Sequence, residues 1–312
     1  MRAGAHGAVR AHEGRQPRVV ALGGGHGLSV TLTALRLQGV EPTALVTVAD
    51  DGGSSGRLRR DLGVLPPGDL RMALLALADP AADVRDLFAY RFRAGDLAGH
   101  NLGNLALAAL TELEGGFLEA LATASRWLRV HGRVLPSTLV PVRLRGRVDG
   151  QVVYSQVAIT TTRGRVEAVW LEPAAPEAVP EAVDAVRAAD LILLGPGSTY
   201  TSVVPNLLVP EVGRALAEAA DRVVYICNLE PQPAETIGFP PEAHVAALLD
   251  HCPGLRVPRV VCQRPDDPAR AEREAAAFAA LGSQVIHADV AADGTQARHD
   301  PERLAAALKG LA

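Results

Sequence analysis

The string Asp50-Asp51-Gly52-Gly53-Ser54-Ser55-Gly56-Arg57-Leu58-Arg59-Arg60 crowds a carboxylate pair, a glycine/serine loop and three arginines together. An Asp at the end of a strand can accept from ribose hydroxyls, as in dinucleotide folds. Paired with a second Asp it could instead hold Mg2+ against a diphosphate, and Arg57 and its neighbours could clamp phosphate bidentately. Turn chemistry and a solvated basic face would also account for these residues. The loop Gly23-Gly24-Gly25-His26-Gly27 tips the reading towards a ligand. It follows an apolar run directly and opens a helix, so Gly24, Gly25, His26 and Gly27 offer close backbone approach, free N–H groups and a positive dipole end. No Lys completes a P-loop, and Leu28 stands where a G-x-G-x-x-G count from Gly23 needs its third glycine.

Further polar groups cluster at other element starts. After Pro66-Pro67-Gly68, Asp69 is expected as an N-cap, whereas Arg71 in the first helical turn opposes the macrodipole and points to a nearby anion. Gly99-His100-Asn101-Leu102-Gly103-Asn104 opens another helix, with Asn101 or Asn104 as its cap and His100 as a base or ligand contact. Gly195-Pro196-Gly197-Ser198-Thr199 follows the run Leu191–Leu194 and repeats the small-residue pattern as a second anion or sugar-hydroxyl seat. Asn228 ends a later strand and presents both donor and acceptor to a base or sugar, while Cys227 beside it reads as a core thiol. Three polar loops at the ends of successive strands predict a ligand crevice. No nucleophile–base pair stands out among them.

The elements that must position these loops alternate along the chain. Apolar strands Arg18–Leu22, Ala44–Ala49, Leu191–Leu194, Arg222–Leu229, Val257–Gln263 and Gln284–Val290 are separated by helical patterns, many of them alanine-rich. That order predicts an α/β fold with a doubly wound, mostly parallel sheet covered on both faces. A helical segment spans about 69–130. An insertion at about 139–171 carries alternating strands Leu139–Val148 and Gln151–Thr160 around the hairpin signal Asp149-Gly150, with Arg165–Leu171 as a third strand. The expected organisation is a flexible leader at 1–17 and a single α/β domain at 18–312.

Length and composition narrow the function classes. A chain of 312 residues with 48% hydrophobic and 21% charged residues is neither short of core nor broadly disordered. A net charge of −4 argues against nucleic-acid binding, which rests on a basic excess. Three cysteines without a C-x-x-C suit a reducing cytosol. No apolar run approaches the roughly 18 residues of a membrane span, and the first 17 residues lack a signal-peptide core, so a cytoplasmic protein is expected.

Taken together, VVALGGGHGLSV, LVTVADDGGSSGRLRRDLGVLPPGDLR, YRF, GHNLGNL, VLPST, LGPGSTYTSVVPNLLV, YICNL and RHDPERL resemble the gluconeogenesis-factor (YvcK-like) group of the 2-phospho-L-lactate transferase (CofD-like) superfamily. The resemblance runs from about Val19 to Leu304. It implies a Rossmann-like core with an inserted lobe, in a bacterial protein that binds UDP-sugars, notably UDP-N-acetylglucosamine. It further implies support of growth on gluconeogenic carbon, cell shape and cell-wall synthesis; a cell-wall or carbon-metabolism protein partner and a homo-oligomer are left as open expectations. Carried over, Gly24, Gly25 and Gly27 meet the ligand, Asp50 and Asp51 take the carboxylate or metal position, and Arg57 contacts phosphate. Asn228 lies by the nucleotide and Arg298 closes over it. His26, Met72, Pro231, Ala234 and Phe278 depart from the group's usual Thr, Asn, Thr, Gly and Tyr. The leading expectation is a nucleotide-sugar-binding regulator without assured turnover. Its rival is a Mg2+-dependent phospholactyl transferase acting on a nucleoside diphosphate carrier, and a third reading is an NAD-dependent oxidoreductase.

Overall fold

A computed structural model describes residues 15–162, 164–232, 234–294 and 297–311, so the expected leader lies outside the described residues apart from its last three positions. The first half contains β1 (Val19–Gly23), α1 (Gly25–Leu37), β2 (Thr43–Val46), α2 (Gly53–Leu62), α3 (Gly68–Leu77), α4 (Arg85–Ala89), α5 (Leu102–Leu113), α6 (Phe117–Trp127) and β3 (Arg133–Pro136). The insertion follows as β4 (Arg143–Val148), β5 (Gln151–Val153), α7 (Gln156–Thr161) and β6 (Val166–Glu172). Then come α8 (Pro180–Ala188), β7 (Leu191–Leu194), α9 (Val204–Leu207), α10 (Pro210–Glu218) and β8 (Val223–Ile226). The chain continues through α11 (Pro241–His251), β9 (Arg259–Gln263), α12 (Pro268–Ala280), β10 (Gln284–Ala288) and α13 (Pro301–Leu308).

Seven parallel strands form the main sheet in the order β10-β9-β8-β7-β1-β2-β3. Their residues are short Val, Leu, Ile and Ala runs; β1, β7 and β8 are buried at every position, as a sheet covered on both faces requires. From β1 the chain winds one way to β2 and β3. From β7 it winds the other way to β10. Right-handed crossovers therefore place α1 and α10 on opposite faces, α1 packing on α3 and α13 and α10 on α8. The reversal falls between β1 and β7, paired from Val19↔Leu191 to Leu22↔Leu194, so their carboxyl ends emerge side by side. A doubly wound sheet leaves its crevice at that point.

The inserted lobe is a three-stranded antiparallel sheet, β5-β4-β6. Leu144, Val148, Val166, Val169 and Leu171 turn inward and join the core of the main sheet. Two polar ties hold the lobe down. The Val169 amide donates to His251 Nε2 at 3.1 Å, and the Asp51 carboxylate accepts from the amides of Gln156 and Val157 at 3.1 and 3.0 Å.

Several local expectations change. The glycine/serine stretch after Asp51 is the first turn of α2 rather than a loop, because Gly53 at φ +48° turns the chain and Ser54 and Ser55 pack inward. The strand expected at 151–160 ends at Val153, where Ser155 caps α7 by accepting from the Ala158 amide at 3.0 Å. The strand expected from Leu139 begins at Arg143. Strand β3, only four residues long and ending in Pro136, was not expected at all. Among the described residues, no helix is long and apolar enough to cross a membrane.

Candidate functional site

The helices α1, α2, α3 and α5 all begin around the carboxyl ends of β1 and β2, turning their free N–H groups and positive dipole ends towards one region. Gly25 starts α1 at φ +59°, a conformation a side chain would strain. The approach of neighbours is as demanding. A Cβ at Gly24 would overlap the Asp69 carboxylate, and one at Gly27 would overlap the Pro196 carbonyl. The loops after β1 and β7 thus interlock, and the first also closes on α3.

That closure brings Asp69 beside Asp50. Asp69 is not the cap of α3, a place held by Pro67; its carboxylate accepts from the Gly25 amide instead. Burial, then the charge of Asp50, raises its carboxyl to about 7, against the pull of the Gly25 bond and of Arg71. Asp50 is raised as well, chiefly by burial, while bonds from the Gly52 amide (2.9 Å) and Ser55 work the other way. Ser55 also accepts from the Gly68 amide at 3.1 Å, binding the first turns of α2 and α3 together. Asp51, expected as the second member of the pair, points away to the start of α7.

Arg71 is buried and donates through Nε to Asn104 Oδ1 at 2.9 Å. Burial and then neighbouring Arg91 lower its pKa to about 10. Asn101 caps α5, accepting from the Asn104 amide at 3.2 Å and donating to the Ala89 carbonyl at 3.0 Å. His100 faces Ser54 at 3.2 Å, and burial followed by the Arg57 charge lowers its pKa. Arg57 itself donates to the Ala98 carbonyl at 2.9 Å.

On the other bank, Asn228 and Gly197 exchange two hydrogen bonds of 2.9 Å. The loop after β7 continues into a π-helical turn, Thr199–Val203, rather than the simple helix cap its small residues suggest. Glu235 anchors that turn: it accepts from the Tyr200 amide at 3.3 Å and Thr201 Oγ1 at 2.6 Å, bonds Ser198, and is raised by burial. His244 meets Thr199 Oγ1 at 2.7 Å, and burial lowers it to about 4. His299 donates to the Cys227 carbonyl at 3.1 Å and is likewise lowered to about 4, mainly by burial. Cys227 is a buried thiol whose pKa burial pushes well up.

Between the banks lies a cleft of about 980 Å3. Four guanidinium groups line it, from Arg71, Arg85, Arg91 and Arg298, together with the amides of Asn101, Asn228 and Gln232. His26, Gly27 and Gly197 border it too, whereas Asp50, Asp51, Ser54, Ser55, Arg57, His100 and Asn104 do not. Gly24, Gly25, Gly195 and Ser198 are not at the wall either; they shape the loops that are. Two lining groups are unsatisfied among the described residues: Arg85 Nε, a buried donor, and Gln232 Oε1, a buried acceptor. Sequence reasoning missed Arg85, Arg91 and the pairing of Asp69 with Asp50. Arg91 sits in the YRF string and was visible as a motif, but nothing local marks Arg85.

The family described as 2-phospho-L-lactate transferase CofD matches residues 19–301. The chain is 46% identical over 307 residues to a Mycobacterium tuberculosis H37Rv protein named, provisionally, a gluconeogenesis factor; the match covers 94% of this chain and 90% of that one. It is 41% identical over 313 residues to the Bacillus subtilis gluconeogenesis factor, covering 96% and 99% of the two chains. A crystal structure of a UPF0052-family protein from Bacillus halodurans superposes with a TM-score of 0.87 at 37% identity, over 95% of this chain and 99% of that one.

Proposed function

Because this chain belongs to the 2-phospho-L-lactate transferase CofD family, we propose that it is a gluconeogenesis factor: a cytoplasmic regulator that binds a nucleoside diphosphate sugar of the UDP-N-acetylglucosamine type. On this reading it supports growth on gluconeogenic carbon, cell shape and cell-wall synthesis through a protein partner. The observation that carries the ligand class is the pair of unsatisfied groups in the arginine-lined cleft. Arg85 Nε needs an acceptor, which a phosphate oxygen supplies; Gln232 Oε1 needs a donor, which a pyrimidine or acetamido N–H supplies. Arg71, Arg91 and Arg298 add charge around the same space, whose volume suits a ligand of that size. Among the described residues at the cleft wall no hydrogen bond pairs a nucleophile with a base, and binding rather than turnover is the simpler use of the site.

A second reading, a Mg2+-dependent transferase of a nucleoside diphosphate-linked group, rests on the Asp50–Asp69 pair. Two coupled carboxyls, one of them still protonated near neutrality, form a donor set in which a divalent cation could replace the proton. Asp50 and Asp69 would hold the ion, since Asp51 is spent on α7. A bound ion would offset diphosphate charge from behind the Gly24 loop, since neither carboxylate is at the cleft wall. Calorimetric titration with UDP-N-acetylglucosamine, UDP-glucose, GDP and NAD, each with and without Mg2+, tests both readings. UDP-sugar binding indifferent to Mg2+ supports the regulator. Binding of GDP that requires Mg2+ replaces it with the transferase, and NAD binding alone would defeat both.

A further inference from the structure

Away from the cleft, positive charge is concentrated on the inserted lobe. Along β4, Leu144, Gly146 and Val148 are buried and Arg143, Arg145 and Arg147 face the other way. A strand's period of two makes these three a row on one face of the central strand. Across the register, Arg143 stands beside Glu172, Arg145 beside Trp170, and Arg147 between Ala168 and Val152. Only Arg145 is neutralised: its Nε donates to Glu172 at 2.7 Å, and its guanidinium lies 4.8 Å from the centre of the Tyr154 ring. Arg143 and Arg147 have no ion-pair partner among the described residues.

A fourth cation intensifies the field. Arg59, on α2, is repelled by Arg143 and attracted by Asp51 and Asp50 on its other side, and its Nη1 is a buried donor without a partner among the described residues. Apolar surface accompanies the charge: Tyr154 is 66% exposed and Val152 40% exposed. Among the described residues strand β5 pairs with β4 alone, so its outer backbone edge has no strand partner. A sheet edge without a strand partner invites pairing with another chain, and the guanidinium row offers charge complementary to an acidic one.

The chemistry of that cover is carboxylate and peptide. The Arg145–Glu172 pair shows a carboxylate already seated on this face. One face of the Tyr154 ring is capped by a guanidinium, which leaves at most the other for a nucleobase to stack on. The open edge of β5 can pair with a peptide backbone and not with a nucleic acid. We propose that the outer face of the lobe, with Arg143 and Arg147 along β4, Arg59 near Arg143 and the edge of β5 near Arg147, docks an acidic segment of a partner protein.

The probe is a fluorescein-labelled peptide of alternating Glu and Val, followed by anisotropy against the full chain, with an alternating Lys-Val peptide and an oligouridylate as comparisons. Binding of the acidic peptide should weaken about tenfold in Arg143→Glu/Arg147→Glu, and by a smaller factor in the uncharged Arg143→Gln/Arg147→Gln. Raising salt from about 50 to about 200 mM should weaken it in the wild type and hardly at all in the Glu variant. UDP-sugar titration of both variants should match wild type, showing that the fold is intact. Equal peptide affinity in wild type and the Gln variant, or tighter binding of oligouridylate than of the acidic peptide, would overturn the proposal.

Discussion

Asp69 and Glu235 are both carboxyl groups buried against a strand-end loop, one on each bank of the crevice, and they use their oxygens differently. Glu235 spends its acceptors on Ser198, Tyr200 and Thr201, so it fixes a backbone turn. Asp69 receives the Gly25 amide and otherwise faces a second carboxyl, Asp50. The contrast extends to the neighbours. On the β7–β8 bank, Asn228, His244 and His299 are each paired to loop backbone or a hydroxyl. On the β1–β2 bank, Arg71 keeps one bond to Asn104 and turns the rest of its charge to the cleft beside Arg85 and Arg91. The β7–β8 bank is therefore held mainly by satisfied bonds, with Gln232 and Arg298 turned to the cleft, while the β1–β2 bank gathers Arg71, Arg85 and Arg91 there and holds the carboxyl pair behind them.

Substitutions can break this contrast, and the largest effect is expected on the shape-holding bank. Glu235→Ala leaves the Tyr200 amide and Thr201 hydroxyl without their buried acceptor, and should cost about 3 kcal/mol of stability in urea denaturation. A loss under about 0.5 kcal/mol would mean that the turn stands without it. Arg71→Gln on the opposite bank should act on affinity instead, weakening UDP-sugar binding by about 1.5–3 kcal/mol in calorimetry, the range for a charge-assisted bond.

The proton-holding pair sharpens the comparison further. With its carboxyl raised to about 7 from an ordinary 3.8, folded Asp69 keeps a proton that the unfolded chain has released across that interval. Its contribution to stability therefore falls as pH rises from about 4 to about 7 and is level above. His244 and His299, lowered to about 4, push the other way, their stability being lost as pH falls from about 6.5 to about 4. Asp69→Asn should remove only the first slope, so the variant gains on wild type as pH rises through the window and then runs parallel to it. Parallel curves throughout would show that Asp69 titrates normally. The smallest effect is expected at Arg57. Its guanidinium braces the Ala98 carbonyl and does not line the cleft, so Arg57→Ala should shift UDP-sugar affinity by less than about 0.5 kcal/mol. A loss as large as that at Arg71 would restore the phosphate contact expected from the ADDGGSSGRLR string.

Much of the frame was legible in the residues because its causes are local. Short Val/Leu/Ile runs broken by glycine or proline announced β1, β2, β7, β8, β9 and β10, and the Asp149-Gly150 turn announced the β4–β5 hairpin. A cap at the start of α5 was legible as Asn101 or Asn104, and the structure gives it to Asn101. Local signals failed where tertiary packing outweighed them. Gly53 and the serines carry poor helix propensity, yet burial of Ser54 and Ser55 against α5 and α3 makes them a helical turn. The alternation after Val153 looked extended, but a Ser155 cap and the Asp51 carboxylate beneath it turned the chain into α7.

By itself, then, the sequence determined the alternation of elements, the positions of the small-residue loops and the abundance of polar groups at strand ends. Backbone propensity, capping and hydrophobic period act over a few residues and need no knowledge of the rest of the chain. Which side chains meet was decided by the tertiary structure. Asp50 was separated from Asp51 and joined to Asp69, 19 positions away, because α3 packs on α1 and brings its first turn against the Gly24–Gly25 loop. Arg85 and Arg91 reached the cleft because α4 folds back on α3 and α5. Such meetings depend on how helices close over a sheet, a long-range balance of burial and charge that no short window of residues contains.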